Sequence, residues 1–327
     1  MRKKISNDII ILKEGVKNNM SLRTKYLIHI SIFLLVFLSL LTIGTFFDLE
    51  ISKILASGSL KEGAYYSTNK FGRFFEYFGS YPIFALGIFA CLIFMHNLYN
   101  SNRKIKYLSL IYIALMVVIA YWGMKDTVKY YCQNHDMIEI YKNPLTKMIV
   151  WGISIVLISI LVFFYRKVDL EKNKKLVKFA YIIIFSCLFY LVIELIKTPM
   201  GRMRFRAMNS INDFSYFTNW YIVSDAKELV ASKGLEVVKD GFKSFPSGHT
   251  FSAGIIYTLI CLPYVNEKYN NRKWKVLWYV IPIVFTGLVG LSRIMVGAHY
   301  LTDVLVGGTI AYIAVEVFKY IFIIRKN

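Results

Sequence analysis

The sequence has few charged residues and few cysteines, and each shortage excludes a class of protein. Charged residues make up 18% of the 327 residues, whereas soluble domains average about 25%. A hydrophobic content of 56% excludes an intrinsically disordered chain. The four cysteines have no CxxC spacing, so they indicate neither a disulfide framework nor a zinc site, and we expect no metal and no cofactor. We interpret them as small apolar core residues: Cys91, Cys132, Cys187 and Cys261.

Basic residues are abundant by contrast. Forty Lys and Arg against twenty Asp and Glu give a formal net charge of +20. An apolar chain with this excess is either a membrane protein with basic loops or a protein that binds nucleic acid. The positions of the charges decide between the two classes.

Long apolar runs recur along the chain, and each is long enough to cross most or all of a bilayer, which needs about 20 residues. They are Tyr26–Phe47, Tyr81–Tyr99, Ile105–Met124, Leu145–Tyr165, Leu176–Ile196, His249–Val265, Lys275–Leu291 and Tyr300–Ile323. The fold class predicted is an all-α polytopic membrane protein with about eight transmembrane helices. The basic residues alternate with these runs and form no continuous face, so we expect no nucleic-acid partner.

The loop charges also predict an orientation. If the N-terminus is cytoplasmic, the inside segments hold 22 Lys and Arg against five acidic residues. Short cytoplasmic loops are typically rich in Lys and Arg. The sequence therefore predicts cytoplasmic N- and C-termini, with these inside segments: 1–25, 100–106, 166–178, 266–275 and the C-terminal tail.

Three polar segments then lie on the opposite, outer face. The first contains Lys197, Arg202, Arg204 and Arg206, the second is Pro246–His249, and the third runs from Ser292 to Asp303. Guanidinium and ammonium groups suit phosphate oxygens. We expect Lys197, Arg202, Arg204 and Arg293 to bind one phosphate group, although binding of lipid headgroups by Arg202 and Arg206 is an equal alternative.

The second and third segments add groups for phosphoryl transfer. Ser247-Gly248-His249 opens a helix, where backbone N–H groups favour an anion. His299 and Asp303 are four residues apart and share a helix face. A carboxylate beside an imidazole fixes its tautomer and suits a histidine that attacks phosphorus. His249 supplies a second imidazole that can protonate a leaving alkoxide.

Together these segments resemble the three-part signature of the type 2 phosphatidic acid phosphatase (PAP2) superfamily: K-x6-RP, PSGH and SR-x5-H-x3-D. The first part matches Lys197 and Arg204, the second matches Pro246 to His249, and the third matches Ser292 to Asp303. One position departs, because Phe205 stands where the family usually has proline. That proline shapes the backbone and carries no chemical group, so the departure concerns loop geometry.

The resemblance implies a metal-independent phosphatase with His299 as nucleophile, Asp303 orienting it and His249 as general acid. It also implies that the phosphoryl group is held by Lys197, Arg204, Ser247, Gly248 and Arg293. The family core has six helices, so we predict a PAP2-like catalytic domain over residues 105–327. Residues 1–104 would then be a basic cytoplasmic tail and two additional membrane helices.

The leading hypothesis is a membrane lipid-phosphate phosphatase that acts on a phosphomonoester or pyrophosphate headgroup through a phosphohistidine. Its site would face outward from a plasma or inner membrane, and its partners would be a phosphorylated lipid and the bilayer. A lipid phosphotransferase with the same intermediate is the alternative. A transporter without catalysis fits less well, since the charges gather on one face and the sequence has no inverted repeat. One further residue stays open: Glu194 could pair with a motif cation or face a neighbouring helix.

Overall fold

The fold is a bundle of long helices. The computed structural model describes residues 22–99, 106–165 and 174–325, and regular structure in these ranges is entirely helical. Much of the basic sequence expected in the cytoplasm lies outside the described residues, so the orientation that it indicates stays a prediction.

Some membrane spans are single long helices, and others consist of shorter helices that follow one another end to end. These helices have the following bounds. They are α1 (Leu22–Ala56), α2 (Lys70–Phe78), α3 (Tyr81–Tyr99), α4 (Ser109–Asn134), α6 (Pro144–Tyr165), α7 (Lys174–Leu188), α8 (Tyr190–Met200), α11 (Gly248–Gly254), α13 (Arg272–Met295) and α14 (Leu301–Lys319). The shorter helices are α5 (Ile138–Lys142), α9 (Phe205–Ser210), α10 (Ala226–Ser232) and α12 (Leu262–Val265). A 3-10 segment, Ile255–Cys261, joins α11 to α12, and a π-helical turn, Tyr320–Ile324, follows α14.

The number of membrane spans agrees with the prediction. Eight helical stretches of the described residues are long and apolar enough to cross a bilayer. Their outer surface is apolar: Leu35 is 68% exposed, Phe46 73% and Leu195 74%. Apolar area on this scale marks a surface that contacts lipid. The chain is therefore an all-α multi-pass membrane protein.

Some helix ends differ from the prediction. The third apolar run was expected to end at Met124, but α4 continues to Asn134. Hydropathy falls at Lys125 because charged residues begin there, whereas a helix needs only its backbone hydrogen bonds and good helix-forming residues. The extra turns place Asp126 and Lys129 on a helix instead of in a loop.

The start of α11 is packed tightly against α14. A Cβ atom on Gly307 would lie 2.3 Å from the carbonyl oxygen of Ser247, so only glycine permits this approach. The backbone N–H of Ser247 also donates to the carbonyl of Asp303 at 3.0 Å. The N-terminus of α11 is thereby held beside the first turn of α14.

The loop between α8 and α11 folds as a compact layer over one end of the bundle. Its short helices bury an apolar cluster that also receives Ala56 and Leu60, from the end of α1 and the residues that follow it, and Tyr300 from the start of α14. This layer holds the polar residues of the first motif in fixed positions.

Candidate active site

The three polar segments meet at a cavity of about 420 Å³, a size typical of ligand pockets. Five of the predicted site residues line it: Lys197, Arg204, Gly248, His249 and His299. The structure thus brings together one residue or more from each of the three motifs.

His299 lies just before α14, and a hydrogen bond holds one of its ring nitrogens in place. Its Nδ1 is 2.6 Å from the carbonyl oxygen of Ser244. A carbonyl can only accept, so Nδ1 carries the hydrogen and Nε2 keeps its lone pair. Burial lowers the pKa of the His299 imidazole to about 3, against the opposing effect of the nearby Asp303 carboxylate. The ring is neutral at ordinary pH, as a nucleophile requires.

Asp303 acts on His299 mostly through the backbone. Its Oδ2 is 3.6 Å from Nδ1 of His299, but it accepts shorter hydrogen bonds from Ser244 Oγ at 2.5 Å and from the backbone N–H of Tyr300 at 2.9 Å. The carboxylate therefore fixes the residue whose carbonyl holds the imidazole. The direct approach of carboxylate to ring that the sequence indicated is present as the longer, 3.6 Å contact.

Arg202 does not line the cavity, in contrast to the sequence prediction that it would bind phosphate. The residue is fully buried, and its Nη1 and Nη2 donate to Asp303 at 2.6 Å and to Asp48 at 2.9 Å. Its Nε donates to the carbonyl of Thr218 at 2.8 Å. Two carboxylates compensate this guanidinium, so it joins α1 to α14 instead of meeting a phosphate.

His249 and Ser247 lie at the start of α11. His249 Nε2 is 3.2 Å from the carbonyl oxygen of Glu76. Nδ1 is therefore the ring nitrogen that this contact does not occupy. The Ser247 side chain caps the helix by accepting from the backbone N–H of Thr250 at 3.3 Å. Ser247 is buried and its hydroxyl is engaged in this cap, whereas Gly248 lies at the cavity surface.

A buried carboxylate, Glu76 of α2, binds two of the arginines. Its Oε1 accepts from Arg293 at 2.9 Å and from Arg206 at 3.2 Å, and its Oε2 accepts from Asn134 at 2.8 Å. Only 2% of Glu76 is exposed. Among the described residues, the Nε and Nη1 of Arg293 have no hydrogen-bond partner, so this guanidinium has unused donors.

The other two cations of the first motif, Lys197 and Arg204, have acidic partners that are more distant or more exposed. Lys197 is 7% exposed and its Nζ is 3.9 Å from Glu194, so Glu194 lies near a motif cation without a hydrogen bond to it. Arg204 pairs with Asp240 at 2.8 Å. Burial alone would raise the pKa of the Asp240 carboxyl, but Arg204 and Arg206 outweigh this effect and hold it well below its usual range.

Sequence reasoning missed several residues that line the cavity. They come from α3, α4, α8 and the outer loop: Ile83, Phe84, Trp122, Asp126, Lys129, Tyr130, Tyr190, Asp240 and Lys243. Asp126 could have been found as an ionisable residue beside an apolar run. Glu76 had no such signal, because α2 is amphipathic and short.

Metal ligands are not clustered in the part of the chain that the structure describes. No group of three or more His, Cys, Asp or Glu side chains is placed to hold a metal ion there. The cysteines are free: Cys91, Cys132 and Cys261 are buried, whereas Cys187, which lies in an apolar run, is only half-buried.

The comparison with known protein families agrees with the motif geometry. The model of the PAP2 superfamily matches residues 175–326. Residues 175–326 belong to this superfamily.

Curated relatives of the PAP2 region carry phosphatase names. The chain is 31% identical over 137 residues to the probable diacylglycerol pyrophosphate phosphatase 1 of Schizosaccharomyces pombe, covering 40% of this chain and 49% of the relative. It is 39% identical over 71 residues to phosphatidylglycerophosphatase B of Bacillus subtilis, covering 22% and 35%. It is 29% identical over 97 residues to diacylglycerol pyrophosphate phosphatase 1 of Saccharomyces cerevisiae, covering 28% and 34%. The chain thus spans half or less of the length of these relatives, and no solved structure matches it.

The structure explains the departure from the PAP2 signature at Phe205. This residue is the first of α9, after Arg204 as the N-cap. Proline is favoured at the first helical position because its φ angle is preset and its missing N–H has no partner there. Phe205 occupies this first helical position and packs its ring on Phe214, with centroids 5.0 Å apart.

Two carboxylates that contact motif residues lie before the PAP2 match. Asp48 of α1 accepts from Arg202, and Glu76 of α2 accepts from Arg293. Both belong to the segment 1–104 that was predicted as a separate addition. That division stays a prediction, but the segment contributes side chains that directly contact the motifs.

Proposed function

We propose that this chain is a lipid-phosphate phosphatase that hydrolyses a phosphomonoester or pyrophosphate headgroup through a phosphohistidine. The observation that carries the proposal is the fixed His299 imidazole, with a free Nε2, beside Lys197 and Arg204 in one cavity. The names of the curated relatives, all phosphatases of lipid phosphates, support the substrate class.

In the first step, Nε2 of His299 attacks phosphorus. A P–N bond forms, the P–O bond to the lipid breaks, and the leaving oxygen takes a proton from His249. Protonated His249 can donate Nε2–H to the Glu76 carbonyl and Nδ1–H to the leaving oxygen. In the second step, water attacks the phosphohistidine, His249 accepts its proton, and the P–N bond breaks to release inorganic phosphate.

The cations offset charge on the phosphoryl oxygens. Lys197 and Arg204 line the cavity, and the backbone at Gly248 lies at the N-terminus of α11, where N–H groups favour an anion. Arg293 has two unpartnered nitrogen donors held in place by Glu76. These groups act in a buried site, where each charge interaction is stronger than in water.

The basic segments support the predicted orientation. We place both termini in the cytoplasm and the cavity on the extracytoplasmic face of a plasma or inner membrane, where headgroups of the outer leaflet reach it. Impermeant labelling of single cysteines introduced at Lys243 and Lys268, in intact cells, tests this: the first should react and the second should not.

The test of activity is phosphate release by the purified protein in detergent. The substrates are phosphatidic acid, diacylglycerol pyrophosphate and phosphatidylglycerophosphate. We expect release with chelator present, loss of at least about 10³-fold in His299→Ala, and an acid-labile, base-stable label on the wild type. Absence of release from every substrate contradicts the proposal, and label transfer to an added lipid acceptor in place of free phosphate indicates the phosphotransferase.

A further inference from the structure

Two cavity walls carry the same order of side chains. On α4 the cavity-lining residues are Trp122, Asp126 and Lys129, and on α8 they are Tyr190, Glu194 and Lys197. Both sets follow the spacing aromatic-x3-acid-x2-Lys. Residues at i, i+4 and i+7 share one helix face, so each set forms a stripe that faces the cavity.

The two stripes are aligned in depth. Trp122 and Tyr190 lie near the middle of their membrane spans, Ser109–Asn134 and Lys174–Ser210. Both lysines lie closer to the helix end, and both help to lower the pKa of Asp240.

The carboxylates lie about 4.5 Å deeper along each axis, from the rise of 1.5 Å per residue. The cavity therefore has a cationic layer beside His299, then a carboxylate layer, then an aromatic layer towards the membrane centre.

Neither carboxylate is satisfied by its neighbouring lysine. Glu194 is 3.9 Å from Lys197, too far for a hydrogen bond. Asp126 forms no ion pair within 4.0 Å among the described residues. Carboxylates within membrane spans are costly and usually functional. Here they stand where the part of a substrate next to its phosphate would lie.

We propose that Asp126 and Glu194 select lipid phosphates that carry a hydrogen-bond donor, an ammonium or a hydroxyl group, on the carbon chain next to the phosphate ester. With the phosphate among the cations at His299, such a donor reaches the carboxylate layer and the hydrocarbon chain meets Trp122 and Tyr190. A lipid with only ester or ether oxygens next to the phosphate would place both carboxylates opposite oxygen atoms that cannot donate a hydrogen bond. The inference rests on the proposed function and names the substrate class of the same site.

The experiment uses three matched probes in detergent micelles. They are octadecyl monophosphates with an ammonium, a hydroxyl or a methoxy group on the carbon next to the phosphate-bearing carbon. For the wild type we expect kcat/KM for the first two to exceed that for the methoxy probe by about tenfold or more, the size of one hydrogen bond to a charged group. A preference for ammonium over hydroxyl identifies a cationic group, and equal rates identify a neutral donor.

The variants are Asp126→Asn and Glu194→Gln, which keep size and remove charge. We expect each to reduce the preference for the ammonium probe over the methoxy probe to about threefold or less, because the amide oxygen still accepts a hydrogen bond but carries no charge. Glu228→Gln, a change of an exposed acid on α10, should retain the preference. Equal losses on all three probes would mean that the acids only position the lysines, which overturns the inference. No preference in the wild type overturns it as well, whether or not the variants fold, whereas no release from any probe contradicts the proposed function itself.

Discussion

Glu76 Oε1 accepts a hydrogen bond from Arg293 Nη2 at 2.9 Å, although 217 positions separate the two residues along the chain. The same oxygen accepts from Arg206. One buried carboxylate of α2 thus compensates two arginines, and the carbonyl of the same residue contacts His249.

We expect Glu76→Gln to destabilise the protein by about 3–5 kcal/mol. The buried guanidinium of Arg293 loses its counter-charge, and that of Arg206 keeps only Asp240, at 3.8 Å. Phosphate release should fall as well, since Arg293 loses its fixed position. Thermal unfolding in detergent measures the first effect, and Glu62→Gln, an exposed change in the same segment, is the control. An unfolding temperature equal to that of the wild type would show that the pair contributes nothing.

Arg202 and Arg204 should respond differently to the same substitution. Arg202→Lys removes the fork that joins Asp48 to Asp303, so we expect a lower unfolding temperature and a lower kcat with KM nearly unchanged. Arg204→Lys changes a cavity residue, so we expect KM to rise several-fold with less effect on stability. Steady-state kinetics of both variants decide the matter. If KM rose in Arg202→Lys and not in Arg204→Lys, the result would support the role of Arg202 in phosphate binding that the sequence indicated.

Gly307→Ala should separate α11 from α14. Its Cβ would lie 2.3 Å from the Ser247 carbonyl oxygen, so the backbone must move, at a cost of about 1–3 kcal/mol. Gly287→Ala on α13 meets nothing within 4 Å and should be neutral or stabilise by about 0.5–1 kcal/mol. We expect phosphate release to fall only in the first variant. Equal unfolding temperatures in the two would contradict the close packing.

His299 makes stability depend on pH. Burial lowers its pKa from 6.5 to about 3, so the unfolded chain binds a proton at this position before the folded one does. Its contribution is fully present above about pH 6.5 and declines by up to about 1.4 kcal/mol per unit as the pH falls towards 3. Unfolding temperatures between about pH 7 and 4 should fall more steeply for the wild type than for His299→Gln. Parallel curves would show that the imidazole is not shielded from water.

The sequence predicted the spans and the three motifs because both are local. Hydropathy over twenty residues marks a span, and the spacing from His299 to Asp303 survives folding. The sequence did not predict contacts between side chains that are distant from each other in the chain. Arg202 and Arg204 look equivalent in sequence, yet a two-residue offset turns one towards Asp48 and the other towards the cavity.

Helix ends were also mispredicted, for a physical reason. Charge ends an apolar run but does not end a helix, so Asp126 and Lys129 were expected in a loop. They lie on α4, facing a polar cavity within the protein. Only the folded structure reveals that this side of the helix does not face lipid.

The contact between Glu76 and Arg293 has a consequence for dissecting the molecule. A fragment limited to residues 175–326 would retain every motif residue and still bury Arg206, Arg293 and Arg202 without Glu76 and Asp48. Such a fragment would be a recognisable PAP2 sequence without the anions that make its interior neutral. Co-expression with residues 1–174 as a separate chain, which restores both carboxylates and the α4 wall of the cavity, would then be the route to a folded split protein.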